Sequence, residues 1–286
     1  MKRFDYHKPR SLEEAWKLKE EIPESRFIAG GTDLMVEIRN GEISPSALIS
    51  LRSIPDLDAI ETDPFRIGAL ATISDIINHK ILQTEFPILV EAAKTLGSVQ
   101  VRNVATVGGN LCNGSPSSDL APALLVLEAK LHLQSIQGSR TIPLNDFFLG
   151  PGQTCLGPGE ILTDIVLKPP GRGTYTLYLK KGRMKMDLAI ASLAVLVKMK
   201  EKTCLKARVA AGSVAPVPVR LTKVEDFLEG ATLTENTEEL ISQAQELAVG
   251  SVNPIADIRS SVEYRRQIIK IYLKRALQQI LQWSKA

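Results

Sequence analysis

Phe27-Ile28-Ala29-Gly30-Gly31-Thr32-Asp33-Leu34 decides how this chain is read, because a short apolar run ends there on two consecutive glycines. A glycine pair lets the backbone turn sharply and brings bare N–H groups against a ligand. Arg26 to Ala29 reads as a short strand, and Thr32 to Arg39 as a short helix with Thr32 or Asp33 near its N-cap. Such a strand-to-helix turn aims unpaired N–H groups and the positive end of a helix dipole at one point, which favours an anion. A second stretch, Thr106-Val107-Gly108-Gly109-Asn110, repeats the design, with a hydroxyl and an amide flanking the glycines. It is followed by Ser117-Ser118-Asp119, which opens an apolar helical segment. Two turns of this kind predict a diphosphate held between two loops, a geometry that suits a dinucleotide cofactor.

Each turn taken alone has a plainer explanation. Gly-Gly is common loop chemistry, and Asn110 can hydrogen-bond its own backbone in a β-turn. Ser118-Asp119 before Leu120-Ala121-Pro122 is good helix N-capping chemistry. A carboxylate there would otherwise accept hydrogen bonds from ribityl or ribose hydroxyls. A helix dipole contributes only roughly 0.3–1 kcal/mol, so several N–H donors and burial of a flat ring system must supply the rest.

Bulk properties narrow the class. With 286 residues, 44% hydrophobic and 23% charged, the chain is long enough for two domains with sizeable cores. The formal net charge is only +3. Lys180-Lys181-Gly182-Arg183 and Arg265-Arg266 are too small, and too poor in interleaved aromatics, to argue for nucleic acid. Cys112, Cys155 and Cys204 are scattered and odd in number, which argues against a disulfide framework and against a zinc or iron–sulfur site in this chain. His7, His79 and His132 lack metal-ligand spacing. Met1 to His7 lacks the apolar core of a secretory signal, and Asn113-Gly114-Ser115 is accordingly discounted as a glycosylation acceptor. The longest apolar run, Leu188 to Val197, falls short of the ~20 residues of a spanning helix. The expectation is a soluble cytoplasmic protein with no membrane insertion.

Along the chain, Ser11-Leu12-Glu13-Glu14 reads as a capping box opening an amphipathic helix, and Ala47 to Leu51 as a strand, so the first fifty residues form a β-α-β-like unit. Strands are predicted at Arg66–Leu70, Lys130–Gln134 and Ile161–Leu167, with helices from Thr72, over Ile88–Leu96 and over about Leu120–Glu128. Pro169-Pro170-Gly171-Arg172-Gly173 marks the best domain boundary. Beyond it come three strands (Tyr175–Lys180, Ala189–Met199, Leu205–Ala211) and then helices at about Lys223–Leu228, Thr237–Val249 and Ser261–Gln282. Strands grouped before helices suggest an α+β domain with helices on one sheet face. No G-x-G-x-x-G follows a strand and no P-loop is present, so neither a Rossmann unit nor a nucleotide-triphosphate loop is supported. Composition and spacing lead to a two-domain protein with a phosphate-bearing cofactor.

The ordered series of motifs goes further. It resembles the FAD-binding medium subunit of the molybdenum hydroxylases, the family of xanthine dehydrogenase, carbon monoxide dehydrogenase and nicotinate dehydrogenase. Ala29 to Leu34 matches the first pyrophosphate loop and Thr106 to Asn110 the second. Val101-Arg102-Asn103, Ser115-Pro116-Ser117-Ser118-Asp119-Leu120-Ala121-Pro122, Phe147-Phe148-Leu149-Gly150-Pro151-Gly152 and Ser261-Val262-Glu263-Tyr264-Arg265-Arg266 also fit. The resemblance covers nearly the whole chain. It implies an α+β fold: a two-lobed FAD-binding domain of the vanillyl-alcohol oxidase or PCMH type over residues 1–170, with lobes of about 1–55 and 56–170. A C-terminal α+β domain, a three-stranded sheet with helices, follows over 171–286.

The resemblance also implies a site. Phe27, Ile28, Ala29, Gly30, Gly31, Thr32, Asp33 and Leu34 would wrap the FAD pyrophosphate, with Thr106, Gly108, Gly109 and Asn110 closing from the other side. Asp119, beside Ser118, matches a carboxylate that contacts the cofactor. Leu96 and Leu162 match positions packed near the flavin, and Lys180 a basic residue near the ring. No residue is assigned as catalytic and no metal ligand is assigned. The cysteine-bearing insertion of the 4-hydroxybenzoyl-CoA reductase branch is missing, so the chain looks closer to the xanthine or nicotinate dehydrogenase type. The implied role is electron transfer: a small subunit with 2Fe–2S clusters delivers electrons to FAD, which passes them to NAD+ or another acceptor, while a large molybdopterin subunit hydroxylates the substrate. The alternative is a stand-alone flavin oxidoreductase of the same fold, like the UDP-N-acetylenolpyruvoylglucosamine reductases. That would need its own acid or base over the flavin, and no motif supplies one.

Overall fold

Short apolar runs broken by glycine and proline give the N-terminal lobe its sheet. In the computed structural model, which describes residues 2–232 and 237–284, these runs are β1 (Asp5–His7), β2 (Arg26–Ile28) and β3 (Ala47–Ser50). The strands are parallel, with β3 in the middle: Asp5 lies opposite Ala47, and Phe27 opposite Ile49. Helices α1 (Leu12–Glu21) and α2 (Leu34–Asn40) make the connections. The expected β-α-β unit is present, with β1 added; three residues are too few to show a strand pattern. The capping box is half formed. Ser11 accepts from the Glu14 N–H at 3.2 Å, but the Glu14 carboxylate accepts from the Arg10 N–H instead of from Ser11. Helix α2 starts at Leu34, not Thr32, and Asp33 is its N-cap residue without a side-chain capping bond.

The middle lobe surrounds an antiparallel five-stranded sheet. Its strands are β4 (Ile60–Thr62), β5 (Phe65–Gly68), β6 (Lys130–Ser135), β7 (Gly138–Pro143) and β10 (Ile161–Val166), in the order β4-β5-β10-β6-β7. A small hairpin, β8 (Phe148–Gly150) and β9 (Gln153–Thr154), lies between β7 and β10 in the chain. Between β5 and β6 run six short helices: α3 (Ile73–Asn78), α4 (Lys80–Glu85), α5 (Pro87–Thr95), α6 (Val99–Arg102), α7 (Val107–Cys112) and α8 (Ala121–Val126). All six residues of α8 are buried, and it ends where Glu128 turns to φ 54°, so it is shorter than the predicted Leu120–Glu128.

The C-terminal domain pairs β11 (Thr174–Lys181), β12 (Ala191–Lys200), β13 (Thr203–Gly212) and β14 (Val219–Arg220) in that antiparallel order. The three expected strands are there, and β14 adds a two-residue edge that proline-flanked sequence gives no reason to predict. Helices α9 (Thr222–Leu228), α10 (Glu238–Gly250) and α11 (Val262–Trp283) cover one face. That agrees with the expected helices on one sheet face; the other face is covered by the middle lobe. Along β12, Leu193, Val195 and Val197 point into the core shared with these helices, while Ala194 and Leu196 join the middle-lobe core. The period of two sends alternate residues to opposite faces, and an unbroken apolar run is what a doubly covered strand requires. Helices α5 and α8 supply the second cover. Among the described residues, no helix is long and apolar enough to cross a membrane.

One buried carboxylate ties the edge of this sheet to α9. Glu225, 3% exposed, accepts from the Val209 N–H at 2.9 Å and from both Nε and Nη2 of Arg220. Glu225→Ala leaves a guanidinium and an amide unpaired, and should cost about 3–5 kcal/mol of unfolding free energy by urea denaturation. A loss under about 1 kcal/mol would place the pair among the weak surface bridges.

Candidate functional site

Both glycine stretches open onto one cleft of about 700 Å³, at the junction of the two lobes and the C-terminal domain. Phe27 through Leu34, Leu96, Thr106, Gly108, Gly109, Asn110, Ser118, Asp119 and Leu162 all line it. Lys180 does not line it, but reaches Asp119 from β11. A second hollow, near the end of α2, is about 220 Å³ and holds neither glycine stretch. That is below the ~300–1,000 Å³ of ligand pockets.

The first loop is a backbone cradle. Among the described residues, none of the hydrogen bonds uses the N–H groups of Gly30, Gly31, Thr32, Asp33 or Leu34 as donors. Gly31 has φ +74°, a conformation that glycine adopts without strain. Gly30 is required for a different reason: a Cβ there would sit 2.2 Å from the Val104 carbonyl oxygen. Arg52 fastens this approach, donating from Nε to the Ala29 carbonyl at 3.1 Å and from Nη2 to the Val104 carbonyl at 3.3 Å. The cradle is open to an acceptor and fixed in place.

The second stretch differs from the expected bare turn. Gly108 and Gly109 lie in the first turn of α7, with Thr106 as its N-cap. The donors at this helix start already have partners. The Val107 N–H donates to Ala71 O, that of Gly108 to Ala69 O, that of Gly109 to Thr106 Oγ1, and that of Asn110 to Thr106 O. Gly108 is there for space, because a Cβ would come within 2.6 Å of the Ala69 Cβ. The Asn110 side chain does not fold back on its own backbone. Its Oδ1 accepts from Ser118 Oγ at 2.7 Å and from the Leu120 N–H, and among the described residues the amide nitrogen has no protein partner. Ser118 supplies the helix cap through the Ala121 N–H, so Asp119 is free for another task.

That task joins two domains. Asp119 Oδ2 accepts from Lys180 Nζ at 2.9 Å, and the same ammonium donates to the Thr95 carbonyl at 2.9 Å. Oδ1 also lies 2.9 Å from Nζ but takes no directed hydrogen bond, although it is buried. Burial pushes the Asp119 carboxyl up to about 6, against the opposing pull of Lys180. Burial likewise raises the Tyr178 hydroxyl on the same strand, with the Asp119 charge adding to the effect. Leu96 and Leu162 are nearly buried and give the cleft apolar walls.

Several supporting residues escaped sequence reasoning. Arg102 donates to the carbonyls of Leu96 and Gly97 at 2.9 and 2.8 Å and so fixes that wall, a role its motif does not reveal. Arg52 lies outside any motif. Met186, Asp187 and Leu188, from the β11–β12 loop, overhang the cleft, and Ser117 and Glu160 line it. Among the described residues, no group of three or more His, Cys, Asp or Glu side chains could hold a metal ion.

Comparison with known proteins agrees with this arrangement. The family model described as the FAD binding domain in molybdopterin dehydrogenase matches residues 2–169, and that of the CO dehydrogenase flavoprotein C-terminal domain matches 177–280. The chain belongs to the FAD-binding medium subunits of the molybdenum hydroxylase family. It is 32% identical to the glyceraldehyde dehydrogenase medium chain of Sulfolobus acidocaldarius, over 97% of this chain and 98% of that one. It is 31% identical to the xanthine dehydrogenase FAD-binding subunit of Escherichia coli O157:H7, over 95% and 94%. Among solved structures, carbon monoxide dehydrogenase from Hydrogenophaga pseudoflava superposes with a TM-score of 0.93, at 32% identity over 97% and 96% of the two chains. The cofactor of this medium subunit is FAD. The cleft suits it chemically: unoccupied amides for a diphosphate, a carboxylate oxygen that takes no directed hydrogen bond for hydroxyls, and leucine walls for a ring.

The raised Asp119 value carries a stability consequence for the cofactor-free chain. A carboxyl whose folded value exceeds its ordinary 3.8 stabilises fully below that value, and the contribution is lost as pH rises through about 6. Asp119→Asn should remove a pH-dependent component on the order of 2 kcal/mol between pH 4 and 7. Urea unfolding at several pH values tests this, and equal pH profiles for the two proteins would refute it.

Proposed function

We propose that this medium subunit is an electron relay. It holds FAD in the cleft, receives electrons from the 2Fe–2S clusters of a small subunit, and passes them to NAD+ or another acceptor, within a complex whose large molybdopterin subunit hydroxylates the substrate. The observation that carries the proposal is the run of unoccupied N–H groups from Gly30 to Leu34, facing the same cleft as Asn110 and Asp119. A relay needs a cofactor held rigidly and shielded, and it needs no side chain to act as acid or base.

The residues divide the work. The Gly30–Leu34 amides and the start of α2 take the diphosphate, where N–H donors and the helix dipole act together. Asn110 offers its unpartnered amide nitrogen from the opposite wall. Thr106, Gly108 and Gly109 form the floor against which the diphosphate is pressed, and Ser118 fixes Asn110. Asp119 Oδ1 accepts from a sugar or ribityl hydroxyl, and Lys180 keeps that carboxylate charged and in place. Leu96 and Leu162 exclude water from the ring. When bound, FAD supplies the conversion between single-electron delivery and release of an electron pair. The relatives named above are subunits of larger enzymes, which supports a partnered role for this one. Three free cysteines suit a reducing compartment, and the proposal includes a cytoplasmic location.

Fluorescence titration of FAD against the purified chain tests the site. Gly31→Val forces a β-branched residue to φ +74° in the middle of the amide cradle. It should abolish flavin retention while leaving far-UV circular dichroism unchanged. Full flavin in that variant would overturn the cradle assignment. Reduction of bound flavin only in the presence of a cluster-bearing subunit supports the relay, and turnover of an organic substrate by the chain alone would favour a self-contained oxidoreductase.

A further inference from the structure

The motif Ser261-Val262-Glu263-Tyr264-Arg265-Arg266 lies outside the cleft, at the start of α11. Its Arg265 is nevertheless 2% exposed and makes three charge-assisted hydrogen bonds. Nη1 donates to the carbonyls of Ile190 and Ser213, and Nη2 donates to Asp257 Oδ1 at 2.7 Å. We propose that Arg265 is a positioning residue for the cofactor, the strut that sets the wall of the cleft contributed by the C-terminal domain. The inference rests on the reading of the cleft as the FAD site.

Of the two backbone carbonyls held by Arg265, one belongs to a loop that reaches the cleft and the other to a segment that packs against a cleft residue. Ile190 closes the β11–β12 loop, its N–H donating to the Lys181 carbonyl at 2.6 Å. Within that loop, Met186, Asp187 and Leu188 overhang the cleft, while Lys180, which pairs with Asp119, immediately precedes it. Met184, Met186 and Leu188 are largely exposed, so apolar packing alone does not fix the loop. Ser213 sits at φ +63°, a conformation that a non-glycine residue keeps only when its surroundings hold it. Its N–H donates to the Pro116 carbonyl at 2.7 Å, and its hydroxyl meets the hydroxyl of Ser117, a cleft residue, at 2.9 Å. A single planar guanidinium therefore braces both segments. Asp257 aims it, and is itself held by the N–H groups of Arg259 and Ser260. An ammonium group at this position would lack the rigid fork that serves all three acceptors at once.

The test compares Arg265→Lys with wild type and with Arg220→Lys, which weakens another buried pair of the same domain, on β14, without touching the Ile190 or Ser213 carbonyl. Hydrogen exchange of the cofactor-free chain should accelerate at residues 182–190 and 213–217 in Arg265→Lys, whereas Arg220→Lys should leave residues 182–190 unchanged. FAD affinity should fall about tenfold or more in Arg265→Lys, the scale typical of outer groups that orient a binding shell, and stay near wild type in Arg220→Lys. Asp257→Asn, which keeps the guanidinium but loosens its aim, should lie between wild type and Arg265→Lys. Equal affinity losses in Arg265→Lys and Arg220→Lys, or unchanged exchange at both segments, would overturn the proposal. Failure of the wild-type chain to bind FAD would instead refute the cofactor reading, and the exchange data would still decide whether Arg265 braces the loops.

Discussion

The two lobes meet main chain on main chain where Gly30 faces the carbonyl of Val104 with no room for a Cβ. Everything at the cleft depends on that approach. It brings a loop of the parallel sheet against the segment that leads into α7, and Arg52 pins both carbonyls with one side chain. The two glycines of the first loop serve different ends. Gly30 is there for space, and Gly31 for a left-handed turn that points successive N–H groups the same way. An alanine at either position fails for its own reason, and neither failure would be rescued by the other glycine.

The second glycine pair completes an asymmetric site. Its helix start is nested against residues 69–71, and its amides are occupied by the carbonyls of Ala69 and Ala71 and by Thr106. A buried amide already paired has little to offer an anion, whereas an unpaired one gains a full charge-assisted bond. On the proposed reading the diphosphate belongs to the first loop, and the second supplies a close, rigid surface together with the Asn110 side chain. Two stretches that look alike in sequence do unlike work, because one precedes a helix that begins three residues later and the other is inside a helix.

That contrast shows how far the sequence could be read. The first loop, the middle-lobe sheet strands and the strand-then-helix order of the C-terminal domain were legible, because apolar period and glycine punctuation are local signals. The line-up of Asp119 with Lys180 was not, since it joins α8's approach to β11 across the domain seam. Family resemblance named both residues without showing that they touch. The helices of the C-terminal domain are legible as lying on one sheet face, and the uninterrupted apolar run Leu193 to Val197 of β12 suits burial on both. Arg52 carries no pattern at all, and the motif that contains Arg265 does not show what it holds: an arginine that binds backbone carbonyls needs only acceptors, and those are placed by the fold.

The two-sided sheet also makes the cleft a property of the whole chain. Lys180, Met186 and Leu188 come from the C-terminal domain, while the amide cradle and Asp119 come from the lobes it packs against. Undocking the sheet would strip Ala194, Leu196 and Tyr178 from the middle-lobe core and leave the Asp119 carboxylate buried without its counter-ion. Removing one member of such a pair is far more destabilising than the pair is stabilising. A ligand that touches both sides of the seam binds only the docked arrangement, so its binding free energy adds directly to the docking. With FAD in the proposed position, cofactor retention and domain docking are linked equilibria, and the buried Asp119–Lys180 contact lies where the two meet.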